Sequence, residues 1–174
     1  TQAVVVSVAD VAPAISSGAV GGVTEGAATG TTVYTAAATD VAGGAVTYSL
    51  GGADAASFTI NGATGVVTIN AIPNYETKSS YSINVVASDG TLSSTQAVTV
   101  SVADVAPAIS SGAAGSVTEG AAAGTTVYTA VATDVAGGTV TYSLSGADAG
   151  AFTIDSNTGV VSINAVPNLS LIHI

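Results

Sequence analysis

Thr1-Gln2-Ala3-Val4 returns as Thr95-Gln96-Ala97-Val98, and from there the copy runs with few changes to Asn168, so the chain repeats itself with a period of 94 residues. A unit of that length exceeds the periods of leucine-rich, ankyrin and tetratricopeptide solenoids and matches one small independent domain. The chain is therefore expected to be beads on a string. Thr1–Asp10 corresponds to Thr95–Asp104, so residues 1–10 read as the last strand of a preceding repeat, 11–104 as a complete repeat and 105–168 as a truncated one. Residues 169–174, Leu-Ser-Leu-Ile-His-Ile, replace the Tyr75-Glu76-Thr77-Lys78 continuation; they resemble a translated sequencing adapter and are expected to stand outside the fold. The truncated copy has no counterparts of Tyr75–Asp104, hence lacks two strands, and is expected to be marginal or aggregation-prone by itself.

Within one repeat, stretches rich in Val, Ile, Thr and Tyr alternate apolar with polar and are bounded by Gly, Asn, Asp or Pro, which is the pattern of half-buried strands. It predicts strands over 14–24 (two pieces broken at Gly21-Gly22), 31–38, 46–50, 57–61, 65–70, 79–88 and 93–103. Asn61-Gly62-Ala63-Thr64-Gly65 is a hairpin turn whose glycines can take positive φ. Seven strands with no helical period predict an all-β antiparallel Greek-key β-sandwich in each repeat. Tyr34, Tyr48, Phe58 and Tyr81, with Tyr128, Tyr142 and Phe152 repeating the first three, fall inside strands and read as core anchors rather than a ligand platform.

Charge narrows the partners. Eleven acids face a single base, Lys78, for a formal net charge of −10, whereas nucleic acid and anionic membrane surfaces both require basic patches. Neither is expected as a partner, and no apolar run approaches the roughly 20 residues of a membrane helix, so no direct membrane insertion is expected either. A cation fits better, with acids that merely keep the surface soluble as the alternative. The chain has no cysteine, so a disulfide scaffold is excluded and a small sandwich needs another staple, such as a metal or its neighbours.

The acids sit at strand ends and turns. Glu25, the Asn74-Tyr75-Glu76 turn and Asp104 are expected to gather at one pole of the sandwich, and Asp40, Asp89 and the incoming Asp10 at the other. Glu119, Asp134 and Asp148 are the second-copy partners of Glu25, Asp40 and Asp54, while Asp155 is unique to the second copy.

The motifs resemble those of cadherin and cadherin-like tandem repeats of bacterial extracellular adhesins. Phe152-Thr153-Ile154-Asp155-Ser156-Asn157-Thr158-Gly159-Val160-Val161 is similar to the family's F-x-I-D-x-x-T-G-x-I hairpin. Pro73-Asn74-Tyr75-Glu76 and Tyr81-Ser82-Ile83-Asn84-Val85-Val86-Ala87-Ser88-Asp89-Gly90 resemble its D-Y-E turn and its Y-x-L-x-V-x-A-x-D-G strand, and Val98–Pro107 resembles its V-x-V-x-D-x-N-D-N-x-P junction. The resemblance implies tandem cadherin-like, immunoglobulin-like sandwiches with calcium between successive repeats. It assigns Glu25, Asn74, Glu76 and Asp104 to the exit pole of the complete repeat, with Asp134 of the next repeat, and Asp10, Asp40 and Asp89 to the preceding junction. Glu119 would serve a following junction. Where the family has D-x-N-D-N this chain has Ser101-Val102-Ala103-Asp104-Val105, and where it has D-x-D this chain has Asp134-Val135-Ala136. Several side-chain oxygens are thus absent, which implies one or two weaker sites rather than a three-ion junction.

Enzyme chemistry is not expected. The only histidine, His173, lies in the tail, so neither a Ser-His-Asp nor a Cys-His arrangement can be built, and the usual zinc and iron sites go with them. Paired carboxylates could serve glycoside hydrolysis only in a cleft with tuned pKa values, which a small Ala-rich sandwich does not offer. The resulting expectation is a calcium-binding stalk of an extracellular or cell-surface adhesin that mediates cell adhesion, homophilic adhesion included. Its partners would be the adjacent repeats and a cell-surface protein or glycan. A calcium-independent spacer and a carbohydrate-binding β-sandwich module of a secreted hydrolase remain open beside it.

Overall fold

A computed structural model describes residues 1–169; of the closing segment, residues 170–174 lie outside the described part. The chain divides into two compact units, the first Thr1–Asp104 and the second beginning at Val105.

The first unit carries nine strands: β1 (Ala14–Ile15), β2 (Val20–Thr24), β3 (Thr32–Thr35), β4 (Ala38–Thr39), β5 (Thr47–Gly51), β6 (Phe58–Ile60), β7 (Val66–Ile69), β8 (Ser80–Ser88) and β9 (Ser93–Ala103). One face of the sandwich is a four-stranded sheet in the order β2-β9-β8-β5, and the other is a three-stranded sheet, β3-β7-β6, with β1 and β4 paired as a small ladder. The chain changes sheets between β3 and β5, β5 and β6, and β7 and β8, as a Greek-key sandwich requires. The core lies between the sheets. Along β9, Val98, Val100 and Val102 are buried while the residues between them are exposed, so the two-residue alternation read in the sequence is the inside-outside alternation of the strand. Ile83 and Val85 of β8, Val67 and Ile69 of β7 and Phe58 of β6 meet them in one cluster. At about 1.5–3 kcal/mol for each such side chain removed from water, this cluster supplies most of the driving force for folding the unit.

The aromatic residues belong to this core. Tyr34 and Phe58 are buried, Tyr48 and Tyr81 pack against the cluster, and Phe58 meets Tyr81 edge to face with ring centroids 5.2 Å apart. Tyr34 also donates its hydroxyl to the Gly18 carbonyl at 2.6 Å, which gives its polar end a partner.

Three details differ from the sequence expectation, the first being that the stretch 31–38 divides at Ala36-Ala37 into β3 and β4, which pair with different strands. The first predicted strand breaks at Ser16–Ala19 rather than at Gly21-Gly22, which lie inside β2. The glycines serve close approach there: a Cβ on Gly21 would stand 2.6 Å from the Val33 carbonyl oxygen, so only glycine lets β2 lie this near β3. The sandwich is also not wholly antiparallel, because β2 pairs with β9 in parallel, Val20 opposite Thr99 through Thr24 opposite Ala103. β1 pairs with β4 in a two-stranded ladder of its own, and the chain then continues along the edge of the four-stranded sheet, where β9 runs the same way. Alternation of apolar residues carries no information on the direction of the neighbouring strand.

The second unit repeats part of this plan, with β10 (Ala108–Ile109), β11 (Thr126–Thr129), β12 (Ala132–Thr133), β13 (Phe152–Ile154) and β14 (Val160–Ile163). β10 pairs with β12, and β11-β14-β13 forms the counterpart of the three-stranded sheet. Residues 114–118 and 141–145, the counterparts of β2 and β5, are not strands. In the first unit β2 pairs only with β9 and β5 only with β8, and the second unit has no counterpart of either partner among its described residues.

Candidate metal centre

The parallel β2–β9 pairing builds the site. Thr24 stands opposite Ala103, so the next residue on each strand, Glu25 and Asp104, leaves the sheet at the same pole. Antiparallel pairing would have sent them to opposite ends. The Glu25 amide donates to the Ala103 carbonyl at 3.0 Å and extends the ladder by one step, and the Gly26 amide donates to the Pro73 carbonyl at 2.9 Å, which ties in the turn before β8. Within that turn, Asn74 Oδ1 accepts from the Thr77 amide at 2.6 Å and the Asn74 carbonyl accepts from the Lys78 amide at 3.0 Å. This Asx-type turn presents Glu76 to the pole.

One carboxylate oxygen from each of Glu25, Glu76 and Asp104 lies within 4.8 Å of the others. Glu76 and Asp104 are exposed, but Glu25 is only 3% exposed and its Oε2 accepts from the Tyr75 amide at 3.2 Å. Three carboxylates this close repel by on the order of 3 kcal/mol per pair at an effective dielectric near 20, less for the two exposed ones. Lys78, the one base of the chain, stands 2.5 Å from Asp54 and 4.8 Å from the Tyr81 ring centre. The charge-assisted bond from Lys78, aided by the Ser82 amide, holds the Asp54 carboxyl below its usual range.

The other expected ligands are placed differently. Asp40 Oδ1 accepts from the amides of Ala42 (2.8 Å) and Gly44 (3.2 Å), and Asp134 repeats this with Ala136 and Gly138, both at 3.1 Å. Asp10 Oδ1 accepts from the Val11 amide at 3.0 Å. Asp89 Oδ1 accepts from the amides of Thr91 (2.7 Å) and Leu92 (2.8 Å), while its Oδ2 is buried without a hydrogen-bond partner. The Leu92 and Thr91 amides lower the Asp89 pKa. Among the described residues, Asp10, Asp40 and Asp89 do not form a group of three carboxylates like the one at the other pole. In the second unit Glu119 Oε1 accepts from the Leu169 amide at 3.2 Å, as Glu25 does from Tyr75, because a backbone N–H serves whatever the side chain is.

Residues 20–103 match the family model described as cadherin domain. These residues are thus similar to a cadherin domain. Solved structures agree with the fold. The chain is 24% identical to human protocadherin-24 EC1-2, with a TM-score of 0.59 over 93% of this chain and 81% of that one. It is 28% identical to mouse cadherin-23 EC22-24, with a TM-score of 0.51 over 90% of this chain and 55% of the other. It is 24% identical to Drosophila N-cadherin EC1-4, with a TM-score of 0.56 over 92% of this chain and 42% of that one. No curated protein matches the chain. Glu25, Glu76 and Asp104 stand together at the pole where β9 ends, and no helix among the described residues is long and apolar enough to cross a membrane.

Proposed function

We propose that the chain is part of a calcium-binding stalk of a cell-surface or secreted adhesin, a non-enzymatic module in which cadherin-like repeats mediate cell adhesion. In this reading residues 1–10 are the last strand of a preceding repeat, 11–104 a whole repeat and 105–168 part of the next. The observation that carries it is the Glu25–Glu76–Asp104 group. Calcium takes oxygen ligands at roughly 2.3–2.6 Å, so oxygens sharing one ion stand at most about 5 Å apart, and the 4.8 Å spread of this group fits that limit. Calcium there would offset the mutual repulsion of the three acids and supply the staple that a cysteine-free sandwich otherwise lacks.

Glu25, Glu76 and Asp104 would hold the ion, Asn74 would add an amide oxygen, and Asp134 of the next repeat would complete the shell. Asp10, Asp40 and Asp89 would do the same for the preceding junction; the buried, unpartnered Oδ2 of Asp89 supports a cation ligand there. Successive repeats would then be the first partners of one another, and a surface protein or glycan the partner of the assembled stalk.

The amide bonds at Asp40 and Asp134 favour the calcium-independent spacer at those two positions, since they already use the side chains as turn caps. The burial of Tyr34 and Phe58 speaks against a sugar-stacking platform. Asp104→Ala is expected to abolish calcium-dependent stiffening, so that small-angle scattering of the wild-type chain contracts on calcium removal and that of the variant does not respond. Profiles insensitive to calcium in both proteins would contradict the stalk.

A further inference from the structure

The β6–β7 hairpin of the first unit and the β13–β14 hairpin of the second are the same turn built on different residues. Asn61-Gly62-Ala63-Thr64-Gly65 stands where Asp155-Ser156-Asn157-Thr158-Gly159 stands one period later. Asn61 Oδ1 accepts from the amides of Ala63 and Thr64, each at 3.0 Å, and Asp155 Oδ1 accepts from those of Asn157 and Thr158, each at 2.9 Å. The backbones close alike: the Gly65 amide donates to the Asn61 carbonyl and the Gly159 amide to the Asp155 carbonyl, both at 2.9 Å. Tyr48 donates its amide to the Gly62 carbonyl at 2.8 Å, and Tyr142 does the same to Ser156 at 2.9 Å. One turn therefore takes either an amide or a carboxylate at its first position.

Only the amide can react with its own backbone at neutral pH. Asn61 and Gly62 are exposed, and among the described residues nothing accepts from the Gly62 N–H. Asn61 is also the one asparagine of the chain followed by glycine, so no side chain shields the neighbouring nitrogen. Attack of that nitrogen on Asn61 Cγ places negative charge on Oδ1, where the Ala63 and Thr64 N–H groups already point. Asp89-Gly90 has the same arrangement, with Oδ1 accepting from the Thr91 and Leu92 amides, but an ionised carboxylate resists such attack.

We propose that Asn61 is a self-modification site, at which the Gly62 nitrogen closes a cyclic imide that water opens to aspartate. In the first step the N–Cγ bond forms, the bond from Cγ to the side-chain nitrogen breaks, and the Gly62 amide proton leaves with ammonia. In the second, water gives its hydroxyl to Cγ and a proton back to the Gly62 nitrogen. No oxidant or metal takes part. Opening at the other carbonyl would give isoaspartate and add a methylene to the backbone. The Asn61 amide donates to the Val66 carbonyl at 2.9 Å and the Gly65 amide returns to the Asn61 carbonyl, so the folded hairpin holds the ordinary spacing and selects aspartate. The product carries at position 61 the carboxylate that the second unit carries at Asp155, with the same two amides to hold it.

Peptide mapping by mass spectrometry after incubation of the 174-residue chain at mildly alkaline pH tests this. The mass gain of an NH2-to-OH exchange is expected at position 61 several-fold faster than at Asn70, Asn84 or Asn164. The ratio of aspartate to isoaspartate, read by isoaspartate-specific methylation, should be several-fold higher in the folded chain than in the same chain held in urea. Gly62→Ser, which gives the first unit the residue the second has at Ser156, should slow the exchange many-fold and keep the melting transition. Asn61→Asp, the product made directly, should melt no lower than the wild type at neutral pH. An Asn61 that stays intact in the folded chain while the urea-held chain converts would overturn the proposal. Equal product ratios in the two states, or an unslowed Gly62→Ser, would do so as well. The chemistry needs no calcium, so these outcomes are independent of the calcium reading.

Discussion

Single residues set the local limits of this fold. Gly21 is one such residue, because its missing Cβ leaves room for the Val33 carbonyl. Gly65 adds a second constraint, with φ at +72° and the Ala36 backbone against it. Gly21→Ala is accordingly expected to cost about 1–3 kcal/mol, read as a lower urea midpoint, although alanine normally favours ordered backbone over glycine. An unchanged midpoint would mean that β2 moves freely off β3. The acids give a pH dependence whose sign is fixed. Asp54, Asp89 and Asp155 have carboxyls held below 3.8, chiefly by Lys78 for Asp54, by the Leu92 amide for Asp89 and by the Thr158 amide for Asp155. A depressed folded-state pKa contributes stability above the unfolded value and loses it as pH falls through the folded one. The melting temperature should therefore hold down to about pH 4 and fall below it, and Asp54→Asn should flatten part of that fall.

At the scale of elements, the inward valines of β9 carry a measurable share of the stability. Val100→Ala in β9 removes buried methyl groups from a packed core and should lower stability by about 2 kcal/mol in chemical denaturation. Val6→Ala, chemically the same change in the same local sequence, should leave the unfolding of the first unit untouched in dilute solution. The strands themselves were legible because Val, Ile and Tyr alternate with Thr and Ser along β8 and β9, and the aromatic anchors because they fall on the inward positions of that alternation. Parallel pairing of β2 was not legible, since its cause is a sheet crossing at Ser16–Ala19 that no periodicity records. Nor was the role of Gly21-Gly22: a glycine pair reads as a break in sequence, whereas in the sandwich it is a point of close contact.

For the whole molecule, the repeat period sets the division into units, and the parallel strand pair sets where the acids of the first unit collect. Glu25, Glu76 and Asp104 are 28 to 79 positions apart in the chain, yet the ends of β2 and β9 and the turn before β8 bring them within 4.8 Å. The ends of the predicted strands placed these three at one pole. Asp10, Asp40 and Asp89 were grouped by the same logic, and one oxygen of each accepts from amides that follow it, because short Asp side chains reach their own turns. The central claim is that the Glu25 group binds calcium, and the melting temperature of the 174-residue chain measured against calcium and against magnesium tests it most directly. The account predicts a rise of several degrees with millimolar calcium that magnesium does not reproduce and that Glu25→Gln removes. A melting temperature indifferent to calcium, or a rise that persists in Glu25→Gln, would contradict it.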